Sequence, residues 1–379
     1  MKHYSVYRPF GAFRLLLAAL VVCQHYLADL APEPLAGASL PYAFGSIAVM
    51  VFFALSGFVI SEAADQVYEG RPLAFLANRV LRIAPHFLLA VIVSMVLCGV
   101  FDVMGTLRIT RHETFAPEIA LTLKNISLNL LGFLPGADRF ISFNFLVPAW
   151  AIRVEMTFYG LFALAMCLSL MGSRLGTARS VFSTGLGIAA LVAPVAILAT
   201  FGKAPPMFQY APYFVYGCAL YLVSAKSSLK AVIVMGASLI GVVWQFQSLP
   251  VRSATLGFDR AVTAEGLALA ALMALMTLLA FSRFPKVERL DRFFGNLTFP
   301  LYMTHINAMI FVLSTTVGYS YAGLAAGLSL AVALTFLSRA LVDPAVDRLR
   351  DAVRGRSLDR PAIPARVFVA HGPKADLAS

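Results

Sequence analysis

Long runs of apolar residues, separated by short segments that carry most of the charge, dominate the pattern of this chain. An α-helix rises about 1.5 Å per residue, so about 20 apolar residues cross a hydrocarbon core of about 30 Å. Runs near this length predict helices at 10–30, 42–62, 84–104, 147–171, 181–201, 207–224, 229–247, 260–282, 296–317 and 321–343. The pattern therefore predicts an all-α fold, a polytopic transmembrane helix bundle with about ten spans.

A further stretch, 117–134, is only partly apolar because it contains Lys124, Asn125 and Asn129. Such polar side chains are unfavourable in contact with lipid tails. We therefore expect this segment to lie at the membrane interface or to fold into the protein, without crossing the membrane.

The composition agrees with a membrane location. Of 379 residues, 60% are hydrophobic and 13% are charged, with a mean hydropathy of +0.81, whereas soluble domains carry about 25% charged residues. The net charge is +11, but the cations lie in short connections, a pattern that indicates membrane lipids and not nucleic acid as the surroundings. The cysteines fall in or beside apolar runs without paired spacing, so we expect no disulfide and no metal site.

The distribution of positive charge predicts the orientation. With the N-terminus in the cytoplasm, twenty of the thirty lysines and arginines lie on the cytoplasmic side and only seven outside, the remaining three falling within spans. Cytoplasmic loops are typically enriched in these residues, so both termini should be cytoplasmic. We expect a membrane domain over 1–343 and, because 344–379 alternates Arg, Asp and Pro, a basic, disordered cytoplasmic tail.

Ionisable side chains at membrane depth are costly and therefore mark candidate functional positions. Arg14 and His25 are eleven residues apart in the first predicted helix, which at about 100° per residue places both on one face, about 16 Å apart along the axis. One stripe would thus present a cation near the cytoplasm and an imidazole further out. The alternative is that Arg14 extends to the interface and His25 is a hydrogen-bonded core residue.

The segment VPAWAIRVEMTFYG places Trp150 at the outer interface and Glu155 at a depth similar to that of His25. A carboxylate that accepts from an imidazole would raise its basicity, as a general base acting on a hydroxyl requires. We therefore predict that Glu155 and His25 meet. The alternative is that Arg153 or another helix neutralises Glu155 for packing alone.

Two further segments suggest a ligand site near the cytoplasm. In NRVLRIAPHF, Arg79 and Arg82 share a helix face and suit phosphate oxygens, although lipid headgroups would explain them too. In GNLTFPLYMTHI, Asn296 lies at the entry to a span and His305 is expected in its inner half, binding the same ligand as Arg14 or simply hydrogen-bonded. In FFALSGFVI, small residues at Ser56 and Gly57 predict a close approach of another helix or a ligand.

In their order and spacing, these segments together resemble the acyltransferase-3 family of integral membrane O-acyltransferases. The resemblance implies transfer of an acyl group, commonly acetyl, from cytoplasmic acyl-coenzyme A to a hydroxyl of a glycan or glycolipid at the outer face. It also implies a bacterial cytoplasmic membrane as the location. Arg14 and His25 would be functional residues, and Arg79, Arg82, Glu155 and His305 their companions.

A mechanism follows as a hypothesis. Arg79, Arg82 and Arg14 would hold the donor phosphates, with Asn296 and His305 nearby, while His25, oriented by Glu155, would take the acceptor proton. An acyl-histidine intermediate stays open. So does a secondary transporter or exporter of a glycan or small anion, because intramembrane Arg, Glu and His also build substrate paths.

Overall fold

The protein is described by a computed structural model over residues 8–32, 40–110, 119–174, 205–227, 229–248, 258–283, 285–315 and 319–355. Within these ranges the regular structure is helical. The α-helices are α1 (Gly11–Asp29), α2 (Leu40–Gln66), α3 (Pro72–Val103), α4 (Leu123–Leu130), α5 (Ala149–Arg174), α6 (Ala211–Lys226), α7 (Leu229–Ser248), α8 (Phe258–Phe281), α9 (Glu288–Thr315) and α10 (Tyr321–Arg354).

The predicted polytopic helix bundle is confirmed. Eight of the described helices are long and apolar enough to cross a membrane by length and composition, and α6, with 16 residues, lies where a further span was expected. The expected span at 181–201 lies outside the described residues. Helix α4 has only eight residues, about 12 Å of helix, so it is too short to span, as expected for 117–134.

Two asparagines fold the segment around α4 onto itself. The Asn125 side chain donates to the carbonyls of Ala120 and Phe143 and accepts from the Ser142 backbone N–H. The Asn129 side chain donates to the same Phe143 carbonyl and accepts from the Phe145 N–H. Both amides are buried, and each satisfies backbone groups that lipid would leave unpaired. The polar residues that argued against a span therefore hold this segment in the protein.

Helices α1 and α9 run parallel and in register. The Asp291 carboxylate accepts from the backbone N–H groups of Gly11 and Ala12, both at 2.7 Å, and so caps the first turn of α1. Further along, the Tyr26 hydroxyl donates to the carbonyl of His305 at 2.8 Å. Because both contacts pair residues about 280 positions apart, any α1 residue meets its α9 neighbour at the same depth.

Helices α2 and α6 cross at two glycines. A Cβ on Gly57 would collide with the Phe214 carbonyl oxygen, and a Cβ on Gly217 would collide with the Ala54 carbonyl oxygen. The close helix approach predicted at Gly57 is therefore confirmed, and it is the absence of side chains that allows the two backbones to meet.

At one end of the bundle, α1, α3 and α9 begin and α10 ends. Three of these helices, α3, α9 and α10, extend beyond the predicted spans there. Helix α10 continues through Pro344 to Arg354, and Gly355 follows with φ 76°. Arg71 donates to the carbonyls of Val353 and Arg354 at 2.7 and 2.9 Å and thereby satisfies the last turn. The predicted domain boundary at 343 falls inside this helix, whose last turn Arg71 holds. We call this end of the bundle the basic end.

Candidate active site

An inner cavity of about 90 Å³ lies between α1, α2, α3, α5 and α9, with room for several water-sized groups. Most of its wall is apolar, formed by side chains such as Phe52, Phe53 and Ile83. Its polar lining consists chiefly of Arg14, Ser56, Arg79, Arg82, Glu155 and Tyr159. Four of these six residues were predicted site residues, and helices far apart in sequence bring them together.

Glu155 is held by α2 and not by α1. The Ser56 hydroxyl donates to the Glu155 carboxylate and lies 3.3 Å from the Tyr159 hydroxyl oxygen. Arg153 points elsewhere and donates to the Gly132 carbonyl at 3.0 Å. The predicted meeting of Glu155 with His25 is therefore wrong, because depth along a helix does not fix which neighbouring helix a side chain faces.

Arg79 is buried in the wall of this cavity, with its guanidinium over the rings of Phe75 and Tyr159 at 5.3 and 5.8 Å. Its Nε has no hydrogen-bonding partner among the described residues. A buried donor without an acceptor costs free energy, and this one lies where a bound acceptor oxygen would satisfy it. Stacking on aromatic faces holds the planar group in place.

A second, basic cavity of about 190 Å³ opens at the basic end. Its lining includes Asn296 and His86, together with five arginines and two aspartates. These charged residues are Arg14, Arg82, Arg292, Arg350, Arg354, Asp343 and Asp347. Asn296, which was predicted to help bind the acyl donor, thus lies in the wall of the basic cavity, where the positive charge is concentrated.

Several arginines of the basic cavity pair within their own helix. Arg350 contacts Asp347 at 3.1 Å, and Arg292 contacts Glu288 at 2.6 Å. In contrast, neither Arg14 nor Arg82 has an ion pair within the described ranges. Arg350 was missed from sequence because it fell in the predicted tail, although its spacing of three from Asp347 is a helical signal.

Arg14 and Arg82 line both cavities, as does Phe299. The two cavities therefore meet at these residues. Together they form one site that is strongly cationic at the basic end and largely apolar further in. Such a site suits a ligand with an anionic portion and a neutral portion.

His25 faces His305 beyond the inner cavity. Their ring centroids are 5.3 Å apart, so Arg14 and His25 both face α9, as the one-stripe prediction required. His305 is fully buried and lies at the level of His25, since α1 and α9 run in register. The expected position of His305 in the inner half of its span, at a different depth from His25, is therefore wrong, whereas a ligand shared with Arg14 stays a prediction. Tyr302 connects the inner cavity to the pair of histidines. It lines the cavity, and its carbonyl oxygen accepts from His305 Nδ1 at 2.9 Å.

Comparison with known proteins decides the family. A family model described as an acyltransferase domain matches residues 10–341. The chain belongs to the acyltransferase-3 family. Membership in this family favours an acyltransferase over the transporter alternative. The match covers all the predicted site residues, whereas Arg350 and Arg354 of the basic cavity lie beyond it.

One curated relative matches part of the chain. The chain is 31% identical over 126 residues to the exopolysaccharide production protein ExoZ of Rhizobium meliloti (strain 1021). The match covers 32% of the chain and spans about a third of the relative, 34% of its length. No solved structure matches this chain.

Proposed function

We propose that this protein moves an acyl group, commonly acetyl, from cytoplasmic acyl-coenzyme A to a hydroxyl of a glycan or glycolipid outside the membrane. The observation that carries the proposal is the meeting of the two cavities at Arg14 and Arg82. A thioester donor has the same polarity, with phosphates at one end and a neutral acyl group at the other.

The basic cavity suits the donor phosphates. Arginine binds phosphate oxygens through paired N–H groups, and among the described residues no carboxylate lies within ion-pairing distance of Arg14 or Arg82. Arg350 and Asn296 line the same cavity and add donors at its mouth. We place the diphosphate against Arg14 and Arg82, which puts the pantetheine arm in the direction of the apolar cavity.

The inner cavity suits the thioester. Its apolar wall would surround the arm, and the unpartnered Nε of Arg79 is a donor for a carbonyl oxygen of the ligand. Glu155 lies beside Arg79 and Arg82 and is held by Ser56. We propose that Glu155 balances these cations and fixes their positions while the donor is bound.

His25 is the proposed general base for the acceptor hydroxyl. It lies on the same face of α1 as Arg14, further from the basic end and beside His305. The name of the relative, an exopolysaccharide production protein, supports a surface glycan as the acceptor. The preponderance of cations at the basic end supports its cytoplasmic location and hence a cytoplasmic donor.

The test measures donor binding and coenzyme A release by the purified protein in lipid nanodiscs. We expect acetyl-coenzyme A to bind, coenzyme A release to rise when a cell-surface polysaccharide is added, and Arg82→Gln to weaken donor binding at least tenfold. Loss of one charge-assisted hydrogen bond costs about 1.5–3 kcal/mol, which corresponds to about a 10- to 100-fold change in affinity.

Arg139→Gln is the matched control, because it removes an equally charged side chain that is exposed and lies on the segment between α4 and α5, away from both cavities. Its donor affinity should stay parental. If the parent protein neither binds acetyl-coenzyme A nor releases coenzyme A, the proposed function is wrong.

A further inference from the structure

We propose that His305 is the second member of a two-histidine proton relay with His25. This inference rests on the proposed acyl transfer and adds a residue with a defined role to it. Two observations support it: the tautomer of His305, and the position of its ring between His25 and the inner cavity.

The hydrogen bond from Nδ1 fixes the tautomer. Nδ1 lies 2.9 Å from the Tyr302 carbonyl oxygen, and because a carbonyl can only accept, Nδ1 must carry the proton. The other nitrogen of the neutral ring, Nε2, therefore holds a lone pair. His305 is fully buried, and its Nε2 has no partner among the described residues. A buried acceptor left unpaired is costly, so this atom is available for a proton.

The neighbouring rings place His305 between His25 and Tyr302. The His25 ring centroid is 5.3 Å away and the Tyr302 ring centroid 6.0 Å away. Tyr302 lines the inner cavity, whereas His25 is the less buried of the two histidines. The Tyr26 hydroxyl, which donates to the His305 carbonyl, holds this backbone in place. His305 therefore lies between His25 and the part of the inner-cavity wall that Tyr302 forms.

The relay balances the acyl transfer. His25 takes the proton of the acceptor hydroxyl as its oxygen bonds the acyl carbon, and passes a proton to His305 Nε2. As the carbon–sulfur bond breaks, His305 Nε2 gives this proton to the leaving thiolate, which departs as the free thiol. The other proton of His305 stays on Nδ1, donated to the Tyr302 carbonyl, so His305 regains its starting tautomer and both imidazoles end neutral.

His305→Asn separates the relay from a structural role. The asparagine amide can reproduce the Nδ1 donor to Tyr302 but has no group at the position of Nε2. We expect the turnover number to fall about 100-fold or more, as for loss of general acid–base catalysis, while KM and Kd for acetyl-coenzyme A stay within about twofold of parental. Parental turnover in a variant with parental donor affinity would show that His305 only donates to the Tyr302 carbonyl and takes no part in proton transfer.

Thr304→Val is the control for disturbing this turn of α9. The Thr304 hydroxyl is buried, donates within its own helix to the Pro300 carbonyl at 2.9 Å and lies 3.4 Å from the Thr335 hydroxyl of α10. Because Thr304 lines neither cavity, parental turnover is expected. A measurement on the unaltered protein avoids any folding defect: the transfer rate in mixtures of light and heavy water. A curved dependence on the deuterium fraction indicates more than one proton in motion, and a linear one overturns the relay. An inactive parent protein would instead reject the proposed function itself.

Discussion

At the scale of single residues, the inner cavity depends on how one buried carboxylate is satisfied. Glu155 accepts from the Ser56 hydroxyl and lies beside Arg79 and Arg82. A carboxylate in such a site needs both hydrogen bonds and nearby cations, since each buried charge is expensive without them. Ser56 is therefore the residue that ties α2 to the charged group of α5.

Ser56→Ala should lower both stability and activity. The substitution removes a donor to a buried carboxylate, and we expect a loss of about 1–2 kcal/mol in the free energy of unfolding, with lower turnover because Glu155 is no longer fixed. Thermal unfolding in detergent and coenzyme A release measure the two effects.

Ser61→Ala provides the comparison on the same helix. The Ser61 hydroxyl donates to the Gly57 carbonyl one turn earlier and interacts with the Cys218 thiol, with no buried charge involved. Its loss should therefore cost less than the loss of the Ser56 hydroxyl, about 0.5 kcal/mol. Equal behaviour of the two alanine variants would contradict the role given to Ser56.

Sequence predicted some of these residues but not their partners. Arg14 and His25 were placed on one face because helical geometry fixes spacing within a helix. The partners of Glu155 and His25 were not predictable, because contacts between helices depend on how each helix is rotated about its axis. The apolar character of a span leaves that rotation open, so only the fold showed that Glu155 faces Ser56 and that His25 faces His305.

At the scale of elements, the contact between α2 and α6 sets the position of Ser56. Gly57 and Gly217 let the two backbones touch, and a Cβ on Gly217 would also lie 2.7 Å from the Phe58 backbone nitrogen. Unlike a flexible side chain, the backbone of a packed helix cannot move aside without a large cost in free energy. The sequence indicated the close approach at Gly57 but not its partner.

Gly217→Ala should push the two helices apart and destabilise the bundle by about 2 kcal/mol or more. Gly160→Ala is the matched control, because a Cβ on this glycine of α5 meets nothing within 4 Å, and alanine is the better helix former by about 1 kcal/mol. The midpoint temperature of thermal unfolding should therefore fall for Gly217→Ala and stay unchanged or rise for Gly160→Ala. A Gly217→Ala protein as stable as the parent would show that α2 and α6 can separate without cost.

The ends of α3, α9 and α10 illustrate what hydropathy leaves out. Apolar runs predicted the parts within the membrane, but the helices continue past them through polar contacts, as where Asn78 donates to the Arg350 carbonyl at 3.4 Å. The last predicted span ended at 343, yet α10 continues through Pro344. Contacts of this kind join distant parts of the chain, and a local pattern cannot show them.

At the scale of the whole molecule, the helix directions give the bundle a defined polarity. Helix α5 runs in the same direction as α2, because Glu155 meets Ser56 while Leu170, near the end of α5, lies beside Gly70, which follows α2. Helix α6 also runs with α2, because Phe214 meets Gly57 while Tyr221 donates to Asp65 near the end of α2. Consecutive helices α5 and α6 therefore run the same way. An odd number of crossings between them is required, and the predicted span 181–201, outside the described residues, would supply one.

We predict that both termini face the cytoplasm and that reporters fused after residues 176 and 204 report opposite sides. A fluorescent protein that matures only inside the cell and a phosphatase active only outside it would be fused in turn at each position and after residue 355. The fusion at 355 should fluoresce and lack phosphatase activity, because α10 ends at the basic end beside Arg71. A phosphatase signal at 355 would place the basic cavity outside the cell, where no acyl-coenzyme A could reach it. The same side reported at 176 and 204 would remove the crossing that the parallel directions of α5 and α6 demand.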